Sequence, residues 1–455
     1  MGHFRRLSDV GNFKGKETAM RSYYQFIEIT DFGPYVTKLI LAFPDLVKAG
    51  EICTDQFCVY TRILDREGNQ IKMPENFIRR DKFVPAEGYR VIGDAYPSDA
   101  AGNRAAEGRF VTLEMKYGPL YPCSSALAAD FTNINGHESY VDSVNVITQT
   151  KEIKTAQGTV RGLVFDHCAR VMNPAVDRWL EDVSGDAEMP LRYGYFVPQR
   201  GMDKRPLIVW LHGAGEGGTD TAISYSGNKA TALTDDAIQS RFDGCYVFSP
   251  QCPTMWLDDG SGQYGTSGRS IYTRALKAAI DEFIARNSYG IDPDRVYIGG
   301  DSNGGFMTMR MIADYPDFFA AAFPICEALY DASITDEEIG RLARTPIWFT
   351  HSKDDPVVDP EKYAVATYRR LLAAGAENVH FTYWDGIYDM HGQFQDVEGK
   401  PFHYMGHFAW IPVFNEDCRT DFDGSPVVVD GRETGLFEWL AMQRSVPHGE
   451  RHGNR

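Results

Sequence analysis

Residues Gly300-Asp-Ser-Asn-Gly304 place a serine between two glycines in a G-x-S-x-G pattern. That pattern suits a nucleophile held on a sharp turn between a buried strand and a helix. The glycines two before and two after Ser302 matter for steric reasons. Side chains there would collide with the strand and the helix, and the turn itself forces the serine into a strained backbone conformation. The context fits: Val296-Tyr-Ile298 before the turn is β-branched and aromatic, and Phe306, Met309, Met311 and Ile312 after it read as an apolar helical run.

A serine hydroxyl is a weak nucleophile and needs a base, which in turn needs an orienting acid. After such an elbow the expected chain order is serine, then acid, then histidine. The strand-like Ile347-Trp-Phe-Thr350 is followed by His351-Ser-Lys-Asp-Asp-Pro-Val-Val-Asp-Pro360, which offers Asp354, Asp355 and Asp359. Asp355, just before Pro356-Val-Val, is the acid of choice. Asp354 then reads as a loop acid and Asp359 as a cap for a helix opening near Pro360. His380 is mid-strand and structural. His391, His403 and His407 follow in a long loop-like stretch. His407 is preferred as base because Gly406 permits close backbone approach and Phe408 and Trp410 can wall the imidazole from water.

Developing negative charge on an attacked carbonyl needs backbone N–H donors. Asn303, at the start of the helix, supplies one. Leu211-His-Gly-Ala-Gly-Glu-Gly-Gly218, a buried strand running into a glycine-rich turn, supplies the other, with Ala214 the donor and Gly213 and Gly215 its neighbours. A phosphate-cradling loop fits poorly, since neither G-K-[ST] nor G-x-G-x-x-G is present. His212 reads as a brace for this loop. Trp256, in Gln251-Cys-Pro-Thr-Met-Trp256, is a candidate for the substrate pocket together with Gly215 and Trp410, or else a packed tryptophan.

These residues need a scaffold, and from about residue 190 the chain alternates apolar strands with helical patterns. The strands read Leu207–Leu211, Cys245–Ser249, Val296–Ile298, Ala320–Pro324, Pro346–Thr350 and Val379–Tyr383. Helical patterns cover Ile271–Asn287, Phe306–Tyr315, Glu361–Ala374 and Leu436–Gln443. Near-continuous apolar strands alternating with helices imply an α/β fold with a doubly wound, mostly parallel sheet. Its ligand site is expected at the carboxyl ends of the strands, where all the motifs above fall. Residues 22–150 have a different texture. Short β-rich runs, Val36–Phe43, Phe57–Leu64 and Phe110–Tyr117, alternate with turn signals at Asp65–Asn69 and Asp99–Asn103, the pattern of an all-β immunoglobulin-like sandwich. Residues 151–189 read as a connecting segment with a hairpin at Val160–Val164 and a helical piece at Ala175–Val183. The catalytic domain is expected over 190–447, with tails at 1–21 and 448–455.

The net charge of −17 argues against a nucleic-acid partner. No apolar run approaches the roughly 20 residues needed to span a bilayer. The N-terminus is basic but has no apolar h-region, so no secretory signal is expected in this chain, which suits either a cytoplasmic protein or a secreted one whose signal has been removed. Eight scattered cysteines make no disulfide framework, and Cys245, Cys252 and Cys326 read as small buried hydrophobes. No metal or cofactor is expected.

Taken together, Pro206-Leu-Ile-Val-Trp-Leu-His-Gly-Ala-Gly-Glu216, Ser249-Pro-Gln-Cys-Pro253 with Trp256, the Ser302 turn, His351 with Asp355-Pro-Val-Val358, and Gly406-His-Phe-Ala-Trp410 resemble the α/β-hydrolase esterases. The resemblance covers about residues 190–445 and is to the group related to polyhydroxybutyrate depolymerases, feruloyl esterases and prolyl oligopeptidase-like hydrolases. Some members carry an N-terminal immunoglobulin-like domain. The resemblance implies a triad of Ser302, Asp355 and His407, with oxyanion donors near Ala214 and from Asn303. Two departures are Ser352, where relatives often have glycine, and the long stretch Asp385–Met405 before His407. The expected function is a serine carboxylesterase acting through an acyl-enzyme on a small or polymeric ester. Alternatives are a peptidase of prolyl oligopeptidase type, a polymer- or carbohydrate-binding protein with an esterase attached, and an inactive hydrolase used as a scaffold.

Overall fold

The computed structural model describes residues 21–74, 83–121, 123–129, 137–199, 203–262 and 264–445. The tails expected at 1–21 and 448–455 lie outside the described residues except for Arg21. The chain divides into two compact units. The first comprises stretches up to Phe26, Val36–Ser124 and Asp142–Met172. The second comprises Asn173 onward together with two earlier stretches, Ile27–Tyr35 and Ser125–Val141.

The first unit is all β. Phe57–Leu64 pairs antiparallel with Asp142–Gln149 along its whole length. Its side chains alternate between buried (Phe57, Val59, Thr61, Ile63) and more exposed, the period of a strand with one face in the core. Arg21–Thr30 runs parallel to Val164–Met172. The expected turns at Asp65 and Asp99 are present: each aspartate side chain accepts the backbone N–H groups two and four residues on. A hairpin does occur in the connecting stretch, but between Ile153–Thr155 and Gly158–Val160. All eight cysteines are free.

The second unit is built on an eight-stranded sheet. Its strands in chain order are β1 (Leu180–Val183), β2 (Arg192–Phe196), β3 (Arg205–Leu211), β4 (Tyr246–Gln251), β5 (Ile291–Asp301), β6 (Ala321–Ile325), β7 (Ile347–Ser352) and β8 (Val379–Trp384). They lie in the order β1-β2-β4-β3-β5-β6-β7-β8. β1 pairs antiparallel with β2, and β2 with β4. The pairs β4/β3, β3/β5, β5/β6, β6/β7 and β7/β8 are parallel. The helical reading of Ala175–Val183 is therefore half right. Pro174–Asp177 is a single helical turn, but Leu180–Val183 is an edge strand whose conformation is set by its pairing with β2.

The apolar character of β3 shows why the sheet is covered on both faces. Leu207, Val209 and Leu211 join the large core cluster with Phe306, Met309 and Ile298. Trp210 alternates to the opposite face, where its ring meets Phe414 at 5.1 Å and Phe323 at 6.3 Å. A one-residue slip would exchange the side chains packed on the two faces and set Trp210 and Leu211 each against the wrong neighbours. That fixes the strand ends, and with them the loops that carry the site.

Candidate active site

At the end of β5 the chain turns through Ser302 into the helix Asn303–Asp314. Ser302 has φ 52° and ψ −112°, the strained conformation expected of the elbow. The flanking glycines are required by their surroundings. A Cβ on Gly300 would lie 2.4 Å from the carbonyl oxygen of Leu211, and one on Gly304 only 1.9 Å from that same oxygen. The turn is tied down by Ser302 N–H donating to the Ile325 carbonyl at 2.8 Å and by Asn303 Oδ1 accepting from Leu257 N–H at 3.0 Å. Asn303 opens the helix, so its N–H is one of those that have no carbonyl a turn earlier.

Asp355 and His407 come together. His407 Nδ1 lies 2.7 Å from Asp355 Oδ2, and both residues are buried. The carboxylate accepts two backbone donors on its other oxygen, Val357 N–H at 2.8 Å and Val358 N–H at 3.0 Å. A further histidine, His351, brings Nε2 to 2.9 Å from the same Oδ2. Burial alone would raise the Asp355 pKa. Hydrogen bonds from His351 and His407, the charge of His407 and the Val358 N–H outweigh it and hold the group well below the usual carboxylate range. His351 was not given a role from sequence. Its position four residues before the acid, at the end of the same strand, was the available signal.

The competing residues are not among those that line the cavity with Ser302. His391 pairs with Asp417 at 3.0 Å and is half exposed, and His403 pairs with Asp354 at 2.9 Å and stacks on Tyr388. Asp359 caps the turn at Pro360–Lys362 by accepting Glu361 N–H. Gly406 does permit the close approach expected of it, since a Cβ there would meet Asp354 Oδ1 at 2.2 Å. Trp410 lies edge-on to the His407 ring, with centroids 6.2 Å apart, and packs on Phe408.

Ser302 and His407 open onto one cavity of about 280 Å³, which Gly213, Ala214 and Gly215 also line. His212, fully buried beneath this loop, accepts Cys252 N–H on Nε2 at 3.1 Å. Its Nδ1–H therefore donates to the Gly213 carbonyl at 2.7 Å. Burial pushes its pKa down to about 4, so it stays a neutral brace. Trp256 takes no part in the cavity, which corrects its reading as a substrate contact. It is fully buried in the core, its ring 5.2 Å from His212 and 5.9 Å from Tyr272, covering the strand end beneath the loop.

The rest of the cavity comes from residues that sequence reasoning assigned no chemistry. Phe32 and Asp31 belong to the early stretch Ile27–Tyr35. Asp31 accepts from Lys229 Nζ at 2.7 Å and from the Tyr404 hydroxyl at 3.0 Å. The Phe32 ring packs among Phe394, Phe402, Tyr404 and Phe408, with centroids 5.0–6.3 Å away. Glu138 comes from the other early stretch, and its N–H donates to the Gly215 carbonyl at 2.6 Å. The remaining buried thiol near the site, Cys326, places Sγ within 4.8 Å of ligand atoms of Asp355 and His407. Burial raises its pKa well above that of an ordinary thiol. Among the described residues no helix is long and apolar enough to cross a membrane.

A mostly parallel sheet with this strand order and a strained serine turn after β5 define an α/β-hydrolase. Within that class residues 194–394 match the family described as Phospholipase/Carboxylesterase, and residues 22–162 match the Esterase Ig-like N-terminal domain. Among curated proteins, poly(3-hydroxyalkanoate) depolymerase C of Paucimonas lemoignei is 35% identical over 142 residues, covering 30% of this chain and 30% of that protein. Feruloyl esterase B of Neurospora crassa is 35% identical over 134 residues, covering 29% of this chain and 42% of that protein. The matches thus span less than half the length of either relative. Among solved structures, a thermostable esterase superposes with a TM-score of 0.68 at 23% identity, covering 94% of this chain and all of that one, a likeness of fold.

Proposed function

We propose that the protein is a serine carboxylesterase in which Ser302 is the nucleophile, His407 the general base and Asp355 the residue that orients it. One observation carries the reading: His407 is held through Nδ1 by a buried carboxylate, and it opens onto the same cavity as a serine in the strained elbow conformation. With Nδ1 engaged, Nε2 is the nitrogen left to take the serine proton and later return it to the leaving alcohol. Attack on the ester carbonyl forms a tetrahedral oxyanion. The N–H groups of Ala214 and Asn303 are assigned to stabilise it, since one lies on the cavity-lining loop and the other at the helix start. Collapse expels the alcohol and leaves an acyl-enzyme, which water hydrolyses by the same proton transfers. The match of residues 194–394 to the Phospholipase/Carboxylesterase family supports an ester-hydrolysing enzyme. The feruloyl and polyester names belong to the relatives and motivate the substrates to be tried here.

The test is hydrolysis of p-nitrophenyl acetate and butyrate beside a feruloyl ester and a proline-containing peptide amide. The short esters should be cleaved and the amide left intact. Ser302→Ala should lose at least about a hundredfold in kcat. His407→Ala should fall comparably, whereas His391→Ala, in the exposed pair with Asp417, should keep most activity. A smaller loss in Ser302→Ala, or activity surviving His407→Ala, would defeat the assignment.

A further inference from the structure

The cavity has a wall that the proposed mechanism does not use. Glu138, Glu216 and Asp301 all line it beside Ser302. Asp301 is 1% exposed and Glu216 4% exposed. One oxygen of each carboxyl group (Glu138 Oε2, Glu216 Oε2 and Asp301 Oδ1) is buried with no hydrogen-bond partner among the described residues. Asn228 Nδ2 donates to Asp301 Oδ2 at 2.7 Å. The absence of a side chain at Gly213 lets two of them close on the loop, since a Cβ there would lie 2.6 Å from Asp301 Oδ2 and 2.9 Å from Glu216 Oε2.

Buried polar atoms are nearly always paired, because an unpaired one forfeits its hydration for nothing. Three such atoms on one wall of a cavity that also holds the nucleophile call for donors that arrive with the substrate. Burial pushes Glu138 up to about 7 and Asp301 up to about 8, and raises Glu216 too, through burial first and then the neighbouring carboxyl groups. Acids shifted toward the neutral form can pair with neutral hydroxyl groups and attract a cation less than ordinary carboxylates do.

We propose that Glu138, Glu216 and Asp301 form a hydroxyl-binding wall that selects esters carrying several free hydroxyl groups. The proposal rests on the assignment of Ser302 as nucleophile and adds the specificity-determining residues. It is tested by matched pairs of esters that differ only in hydroxyl groups. One pair varies the alcohol, inositol monoacetate against cyclohexyl acetate. The other varies the acid, the methyl ester of a pentahydroxyhexanoic acid against methyl hexanoate. At least one hydroxylated partner should be favoured tenfold or more in kcat/KM, because a site built to bind a hydroxyl strongly rejects the analogue without it. That ratio should collapse to within threefold of one in Glu138→Leu and in Glu216→Leu, and recover in part in Glu138→Gln. Each result is a ratio within one protein, so partial misfolding lowers both rates and leaves the reading intact.

A wild-type ratio near one in both pairs, or a ratio unmoved by both leucine variants, would overturn the wall. Preference for 2-(trimethylammonio)ethyl acetate over 3,3-dimethylbutyl acetate would overturn it in favour of a cation site. These outcomes leave the esterase reading standing as long as Ser302→Ala abolishes hydrolysis of all the esters. Hydrolysis that survives Ser302→Ala would sink the mechanism itself.

Discussion

The site holds two sets of carboxyl groups that are both desolvated and respond in opposite ways. On one side is Asp355, whose two oxygens accept Val357 N–H, Val358 N–H, His351 and His407. On the other are Glu138, Glu216 and Asp301; Asn228 is a side-chain donor to the last two, and one oxygen of each of the three has no partner among the described residues. Desolvation pushes every one of these groups toward the neutral form. Only Asp355 has enough donors to reverse it. Burial alone therefore does not decide charge in this site; the donors aimed at each carboxyl group enter with it. The result is an ionised acid beside the proposed base, and acids shifted toward the neutral form on the wall proposed to meet the substrate.

The strongest way to break this contrast is to make the ionised member neutral. Asp355→Asn keeps the shape but turns one oxygen into an N–H₂ group facing donors, so His407 loses the acceptor that fixes its tautomer. The expected fall in kcat on p-nitrophenyl acetate is about 10³- to 10⁴-fold. A loss under tenfold would mean that the carboxylate charge is not used. His351→Phe comes next. It removes a donor from Asp355 Oδ2 without touching the base, and misplacement of His407 should lower kcat on the order of tenfold to a hundredfold. His351→Gln retains an N–H and should lose less. Equal losses in the two variants would assign His351 to packing alone.

The catalytic side of this contrast was legible in the sequence, and the opposite wall was not. Ser302 announces itself because Gly300 and Gly304 are demanded by contacts with β3, and Asp355 and His407 follow in chain order, the first just past a strand end and the second in the long stretch after the last strand of the sheet. The strands were legible for a similar local reason, since β3 is apolar on both faces. Glu138, Asp31 and Phe32 carry no such mark. They lie in the stretch that reads as sandwich, and their partners Gly215, Lys229 and Tyr404 are far along the chain. A strand pattern records which face is buried but not against what. Trp256 failed in the opposite direction: a tryptophan after a strand end suits a pocket, yet only three-dimensional packing shows that its ring lies against His212, beneath the glycine-rich loop after β3. Leu180–Val183 takes its extended form from pairing with β2, which no local propensity specifies.

The smallest effect is also the most direct comparison of the two carboxyl sets, because its sign differs between them. Asp301, raised to about 8 by burial, keeps its proton in the folded state at pH values where the unfolded chain, near 3.9, has released it. Raising the pH from about 4 to about 8 therefore removes stability. Asparagine cannot ionise, so Asp301→Asn should match wild type near pH 4 and gain on it as the pH rises to 8. The gain in unfolding midpoint should be a few degrees, on the order of 2–4 °C per kcal/mol recovered. Asp355 is lowered, so its contribution is present above about 4 and is lost as the pH falls below that value. Asp355→Asn should be the less stable protein at pH 8, with the gap closing only in acid. Thermal unfolding of both variants across pH 3.5–8.5 reads the two signs in one experiment. If both variants shift the midpoint the same way at pH 8, donor count is not what separates the two sets, and the neutral hydroxyl-binding wall loses its electrostatic basis.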